Sequence, residues 1–234
     1  MKKKTVGEVP DNALGMLAGL MLKIQNGVIT PRQLGRFCKK QNPFKPEDYS
    51  AELIFEWVSF YKRFFGREYD FSNVFILEKP NVGRWRLLII ADLTLEQLYA
   101  KCKERFGCGW LLTGGDDDLD KKVTWNERDA KNGAYAIWVK DEIKANEELK
   151  SLSAKAIKVK NITTETLAER LIHGFKFFDE TGKHLDVQSW TLCTGSRFYD
   201  DNVPSVGWSD GKMDVGKYDT DVAFDDQRSR QVVS

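Results

Sequence analysis

His173 and His184 are the only imidazoles in the chain, and Cys193 is the thiol from which a nucleophile–base pair could be assembled near neutral pH. His173 falls inside an amphipathic helical pattern. His184 follows that pattern's Gly182 stop, where a positive side chain complements the helix dipole. No nucleophile elbow accompanies them, so a structural role is expected for both histidines, and an enzyme using His184 and Cys193 is the alternative. Asp116, Asp118 and Asp120 alternate as calcium ligands do, and Glu127 falls at the twelfth place of such a loop. The sixth place holds Lys121 where the turn requires glycine, so a solvated acidic loop is expected instead. Cys102 and Cys108 lack a second pair for zinc, and Gly107-Cys108-Gly109 and Gly114-Gly115 match no phosphate-binding pattern. No metal and no cofactor are expected.

These residues must be held by elements that the sequence marks locally. Thr30-Pro31-Arg32-Gln33 combines an N-cap, Pro at N1 and Gln at N3, with Leu34, Phe37 and Cys38 on one face beyond it. A second helix is predicted over 51–65, stopped by Gly66. Strands are predicted at Val74 and Ile76 and over 85–90, then a helix opened by a Thr94/Gln97 capping box and closed by Gly107. Strands at 110–112 and 134–139 follow, with a polar loop over 114–122 between them. The clearest amphipathic helix covers 164–181, with Leu167, Leu171, Phe175 and Phe178 on one face. Strands at 189–194, 203–209 and 213–218 and a closing edge at 229–234 complete a mixed α+β chain.

An apolar fraction of 41% in 234 residues argues for a folded globule with a sizeable core. The net charge of +1 provides no field for nucleic acid, and the region 198–226, with eight Asp against two Lys, would repel phosphate backbones. Nucleic acid is therefore not expected as a partner. The tryptophans Trp85, Trp110, Trp138, Trp190 and Trp208 lie in strand patterns and suit core packing better than base stacking. Four scattered cysteines suit reduced thiols. The apolar run Ala13 to Leu22 is too short to span a bilayer, and Glu8 and Asp11 spoil a signal peptide's basic region, so neither membrane insertion nor a leader is expected. A cytoplasmic or phage-associated location follows from that reading.

The C-terminal tail is the most distinctive stretch. Val203-Pro204, Val206, Trp208 and Val215 are anchors, and the sites between them carry Tyr, Asn, Ser, Gly, Asp and Phe, a mixture suited to adaptable binding. Asn126-Glu127-Arg128-Asp129, Gly133-Ala134-Tyr135-Ala136-Ile137-Trp138-Val139, Ala145-Asn146-Glu147-Glu148-Leu149, Glu180-Thr181-Gly182-Lys183-His184-Leu185-Asp186, Thr191-Leu192-Cys193-Thr194-Gly195-Ser196-Arg197 and Arg228-Ser229-Arg230-Gln231-Val232-Val233-Ser234 resemble the variable proteins of diversity-generating retroelements. The resemblance spans about 71–234 and leaves the N-terminal segment unaccounted for. It implies a C-type lectin-like fold of the formylglycine-generating-enzyme type, used for binding rather than catalysis. The expected organisation is an N-terminal helical region over 1–66 and a ligand-binding domain over 67–234, with a variable region at about 192–226.

In that family an error-prone copy rewrites adenines, and an AAC-type codon so randomised cannot encode Trp, Met, Lys, Glu or Gln. Trp208, Lys212, Met213, Lys217 and Gln227 are then scaffold. Phe198, Tyr199, Asn202, Ser205, Gly207, Ser209, Gly216, Tyr218, Asp219, Thr220, Asp221, Ala223 and Phe224 remain eligible as ligand contacts. Lys217 stands where an aromatic residue is expected, and Asp201 where a turn glycine is natural. The implied partner is a protein or cell-surface ligand. A virion or structural protein docked by its N-terminal helices is the remaining alternative.

Overall fold

The computed structural model describes residues 11–25, 29, 34, 37–38, 49–111 and 118–234. The chain divides into two compact units, Met1–Tyr49 and Ser50–Ser234. In the first, helix α1 covers Asp11–Gln25. Leu34, Phe37 and Cys38 are helical as expected, whereas the Thr30–Gln33 start signal lies outside the described residues.

Helix α2, Tyr49–Phe65, forms because Trp57, Phe60, Tyr61 and Phe64 recur on one face, and Gly66 at φ 64° ends it by donating its N–H to the Lys62 carbonyl. Trp57, Phe60 and Tyr61 are almost wholly buried in the main core. Phe60 meets Phe175 edge-on at 5.7 Å, and the Tyr61 hydroxyl donates to the Ile89 carbonyl at 2.7 Å while accepting from the Ala91 N–H. The expected boundary after residue 66 is therefore misplaced. This helix is a wall of the larger unit, because its apolar face packs into the main core.

Strand β1, Trp85–Ile90, pairs antiparallel with β4, Tyr135–Lys140, which on its other side receives β10, Val232–Val233. The last strand thus closes the sheet in which the first one starts. The expected strand around Val74 and Ile76 is absent; Val74 N–H closes a turn on the Phe71 carbonyl, and the Leu77 carbonyl accepts from Trp138 Nε1 at 2.9 Å. A side chain occupies the backbone acceptor that a ladder would have used, and Phe71 is buried by stacking on Tyr69.

Helix α3, Leu95–Phe106, carries the predicted Thr94/Gln97 capping box and stops at Gly107. Strand β2, Cys108–Leu111, leads out of it, and the short helix α4, Leu119–Lys122, precedes strand β3, Val123–Asn126. Asp116 lies outside the described residues. Asp118 caps α4, and the Asp120 carboxylate accepts the N–H groups of Leu95 and Glu96 while Glu96 accepts from Leu119. Two acids of the calcium-like spacing therefore serve helix termini, where carboxylates offset unpaired N–H groups.

Helix α5, Ala154–Val159, is followed by α6, Leu167–Thr181, which ends at Gly182 in the left-handed region as the sequence predicted and starts three residues later than the predicted 164, behind a Thr166/Glu169 capping box. Helix α6 is buried on nearly all sides over its first turns, with Leu167, Leu171, Ile172 and Phe175 in the core. The tail builds β5, Trp190–Leu192, β6, Ser196–Phe198, β7, Val203–Ser209, β8, Lys212–Tyr218, and β9, Gln227–Arg228. They form a sheet in the order β2-β8-β7-β5-β9, with β6 paired separately to β3. The β7–β8 hairpin turns through Asp210 and Gly211, both at positive φ as a tight two-residue turn requires.

Candidate ligand-binding face

Strand β7 is buried from Val203 to Gly207, so the tail is not a simple alternation of inner and outer positions. Neighbours on both sides and both faces cover it: β8 and β5 flank it, and the Trp190 ring lies across Gly207. Four residues expected as ligand contacts are consequently inaccessible. Phe198, at 2% exposure, joins the main core; Ser205 is fully buried; Gly207 and Gly216 are enclosed within the hairpin. Gly207 has a specific steric reason to remain glycine, since a Cβ there would stand 2.4 Å from the Trp190 ring. Gly207→Ala should thus destabilise the fold by about 1–3 kcal/mol through overpacking, visible as a lowered melting temperature; an unchanged transition would contradict this placement.

Ser209 is exposed but stands at the opposite end of β7 from Val203, about 20 Å away at the rise of an extended strand. The remaining eligible residues gather near the Val203–Tyr218 end. Tyr199 is 66% exposed in the turn after β6, where Asp201 takes φ 66° and so accepts the geometry in which glycine was anticipated. Lys217 lies 5.9 Å from the Tyr199 ring centroid and pairs with Asp200; its neighbour Tyr218 meets Phe224, 48% exposed, with ring centroids 5.6 Å apart. Lys217 and Tyr218 alternate across the strand, so the ridge at this end has two parts. Tyr199 with Lys217 forms one side, and Phe224 over Tyr218, itself half-buried against Ala154, Leu192 and Val203, forms the other; Asn202, Asp219, Thr220, Asp221 and Ala223 are at least partly accessible beside them.

The loop after β8 is pinned rather than free. Asp219 Oδ1 accepts from the Asp221 N–H, Lys155 donates its N–H to the Thr220 carbonyl, its ammonium stands 3.1 Å from Asp221, and Gln227 Oε1 accepts from the Phe224 N–H. A surface ordered before contact gives up less conformational freedom on binding.

Behind Tyr199 the β3–β6 ribbon and helix α5 border an open cleft of about 600 Å³. Trp125 forms part of its wall at 49% exposure, with the Arg197 guanidinium carbon 5.7 Å from its ring centroid. The signal for Trp125 in the sequence is weak, a tryptophan between the polar Thr124 and Asn126 with Val123 as the apolar residue two positions before it.

The catalytic candidates lie elsewhere and apart. His173 is buried with Nδ1 2.7 Å from Glu165 Oε1; burial, reinforced by Arg230 and Arg170, holds its pKa well below the usual imidazole range. Burial also pushes Glu165 up to about 7. His184 is half-buried in an aromatic cluster, stacked on Phe178 at 4.5 Å and 3.9 Å from Trp208. Cys193 is sealed in the core, and burial pushes its thiol well above the usual range, the reverse of an activated nucleophile. Among the described residues no group of three His, Cys, Asp or Glu side chains converges to hold a metal ion, and no helix is long and apolar enough to cross a membrane. Comparison with known protein families, curated proteins and solved structures finds no match to this chain.

Proposed function

We propose that this chain is a non-enzymatic binding protein with a C-type lectin-like domain, whose C-terminal face is diversified by a retroelement to engage a protein or cell-surface partner. The observation that carries the reading is the exposure of Tyr199 and of Phe224, the latter resting on half-buried Tyr218, on a loop framework already held by hydrogen bonds and ion pairs. Rigid amphipathic rings provide contact area at low entropic cost, and the adjacent Asn, Asp and Thr residues provide adaptable polar groups. The pairing of β10 with β4 places the chain's last strand in the sheet that β1 starts, in keeping with the closing edge expected at 229–234.

Burial divides the eligible positions further. Met213 and Gln227, scaffold by the codon rule, are buried, in keeping with that assignment. Tyr199, Asn202, Tyr218, Asp219, Thr220, Asp221, Ala223 and Phe224 satisfy both the codon rule and accessibility. Lys217 belongs to the scaffold by its codon and yet stands inside the ridge, so the ridge combines a constant cation with variable rings.

Tyr218→Ala/Phe224→Ala should reduce partner capture at least about 30-fold, the loss of two rings, while keeping a cooperative melting transition that is lowered by the loss of the packing Tyr218 makes on Ala154, Leu192 and Val203. Retained capture, or loss of the cooperative transition, would sink the surface assignment. The genetic test is independent: sequencing the flanking DNA should find a near-copy of the final coding segment that differs at adenines, beside a reverse-transcriptase gene. Complete flanks without either would overturn diversification.

A further inference from the structure

We propose that the cleft behind Tyr199 is a second binding site, sharing Tyr199 with the ridge but not Tyr218 or Phe224, for a small carboxylate whose body is a flat ring. Its volume of about 600 Å³ suits a small organic molecule, for which clefts of roughly 300–1,000 Å³ are usual. Its lining includes the core residues Ala154, Ile157 and Phe198, and Trp125 and Tyr199 present ring surface to solvent. Exposed rings bordering an apolar recess favour a planar or apolar body over a purely polar one.

The anionic group is specified by Arg197. Its Nη1 donates to the carbonyls of Thr194 and Ser196 at 2.7 Å each, which fixes the guanidinium plane over Trp125. Among the described residues no acceptor lies within hydrogen-bond distance of Nε or Nη2; the Asp201 carboxylate is 3.9 Å from Nε. That edge is the pair of parallel N–H donors that matches a carboxylate's two oxygens. Burial outweighs Asp201 and Glu127 in its effect on Arg197 and lowers its pKa, so the cation is only partly compensated by the protein. Lys158 adds a second cation to the lining.

The same lining limits the ligand's charge. Glu127 and Asp201 also border the cleft, and they oppose a phosphate dianion more strongly than a carboxylate monoanion. Trp125, Lys158 and Ile157 lie outside the tail, so that part of the lining stays constant whatever residue diversification places at Tyr199.

Phenylacetate is the test probe, titrated into the full chain while amide NMR shifts and tryptophan fluorescence are followed. The expected result is saturable binding at about millimolar affinity, with shifts at Trp125 and Arg197. Phenylethanol, which lacks the charge, should bind about tenfold or more weakly, and Arg197→Lys, which keeps the charge but loses the fork, should weaken phenylacetate by a similar factor. Trp125→Ala should weaken it at least about fivefold with an unchanged melting temperature. Tyr218→Ala/Phe224→Ala should leave phenylacetate binding intact, which separates this site from that part of the ridge. No saturation, equal affinity for phenylethanol, indifference to Trp125→Ala, or loss in the ridge variant would each overturn the proposal. Should Arg197→Lys unfold, the alcohol comparison and Trp125→Ala decide it.

Discussion

Asp186→Asn is expected to destabilise the protein by about 3–5 kcal/mol, because it removes the carboxylate that is hydrogen-bonded to two buried arginines and leaves their charges poorly compensated. Asp186 accepts from Arg170 Nη2 at 3.0 Å, Arg230 Nη2 at 2.9 Å, the Thr191 hydroxyl at 2.5 Å and the Ala145 N–H at 2.8 Å, with no exposed surface. Its backbone lies at φ 56°, which asparagine also tolerates, so the substitution removes charge with little change in backbone preference. Denaturant midpoints compared at constant slope would measure the loss; a change below about 1 kcal/mol would refute the role given to this carboxylate.

The pH dependence follows the same group. Burial opposes ionisation of Asp186, but Arg230 and Arg170 outweigh it and hold the carboxyl below its usual range. A depressed folded-state pKa contributes stability that is present above the unfolded carboxylate value and lost as the pH falls through the folded one. The wild type should therefore lose stability at acid pH, and Asp186→Asn should lack that component. Glu165 works in the opposite sense: raised to about 7 by burial, its contribution is full below the unfolded carboxylate value and is lost as the pH rises through about 7. Glu165→Gln at pH 6 replaces a mostly protonated side chain and is a control with a small expected effect.

Removing residues 1–66 should abolish cooperative unfolding, whereas a chain beginning at residue 45 should keep it. The difference is helix α2. Trp57, Phe60 and Tyr61 are each at most 1% exposed, and truncating one such ring costs about 3–5 kcal/mol, so losing all three consumes most of a typical stability of about 5–15 kcal/mol. Tyr61 also bonds the end of β1 at Ile89 and Ala91, and those backbone groups would lose their partner. Near-UV circular dichroism and a thermal melt distinguish the outcomes; a 67–234 chain melting like the longer one would show that the helix is dispensable. The expectation that 1–66 is a detachable module came from the change of hydrophobic period after Gly66, which marks where a helix ends but not which core it serves.

What was legible in the sequence is local chemistry. The Thr94/Gln97 box closes within one helical turn, Gly66 and Gly182 take the positive φ that ends a helix, and β7 occupies the predicted 203–209. Each depends on bonds between residues a few positions apart or on a short periodic pattern, so side-chain types at fixed spacing are enough to announce it.

The sorting of the tail was decided only by tertiary structure. Codon and composition treated Phe198, Ser205 and Gly207 like Tyr199 and Tyr218, but Trp190, β5 and β8 enclose β7 on every side while the turn at 199–202 and the loop at 219–226 stay open. Trp125 and Arg197 are far apart in the chain and meet because β3 pairs with β6. Residue type sets what a side chain can do; whether it reaches solvent or a distant partner depends on packing between segments that share no local pattern, and that information exists only once the chain has folded.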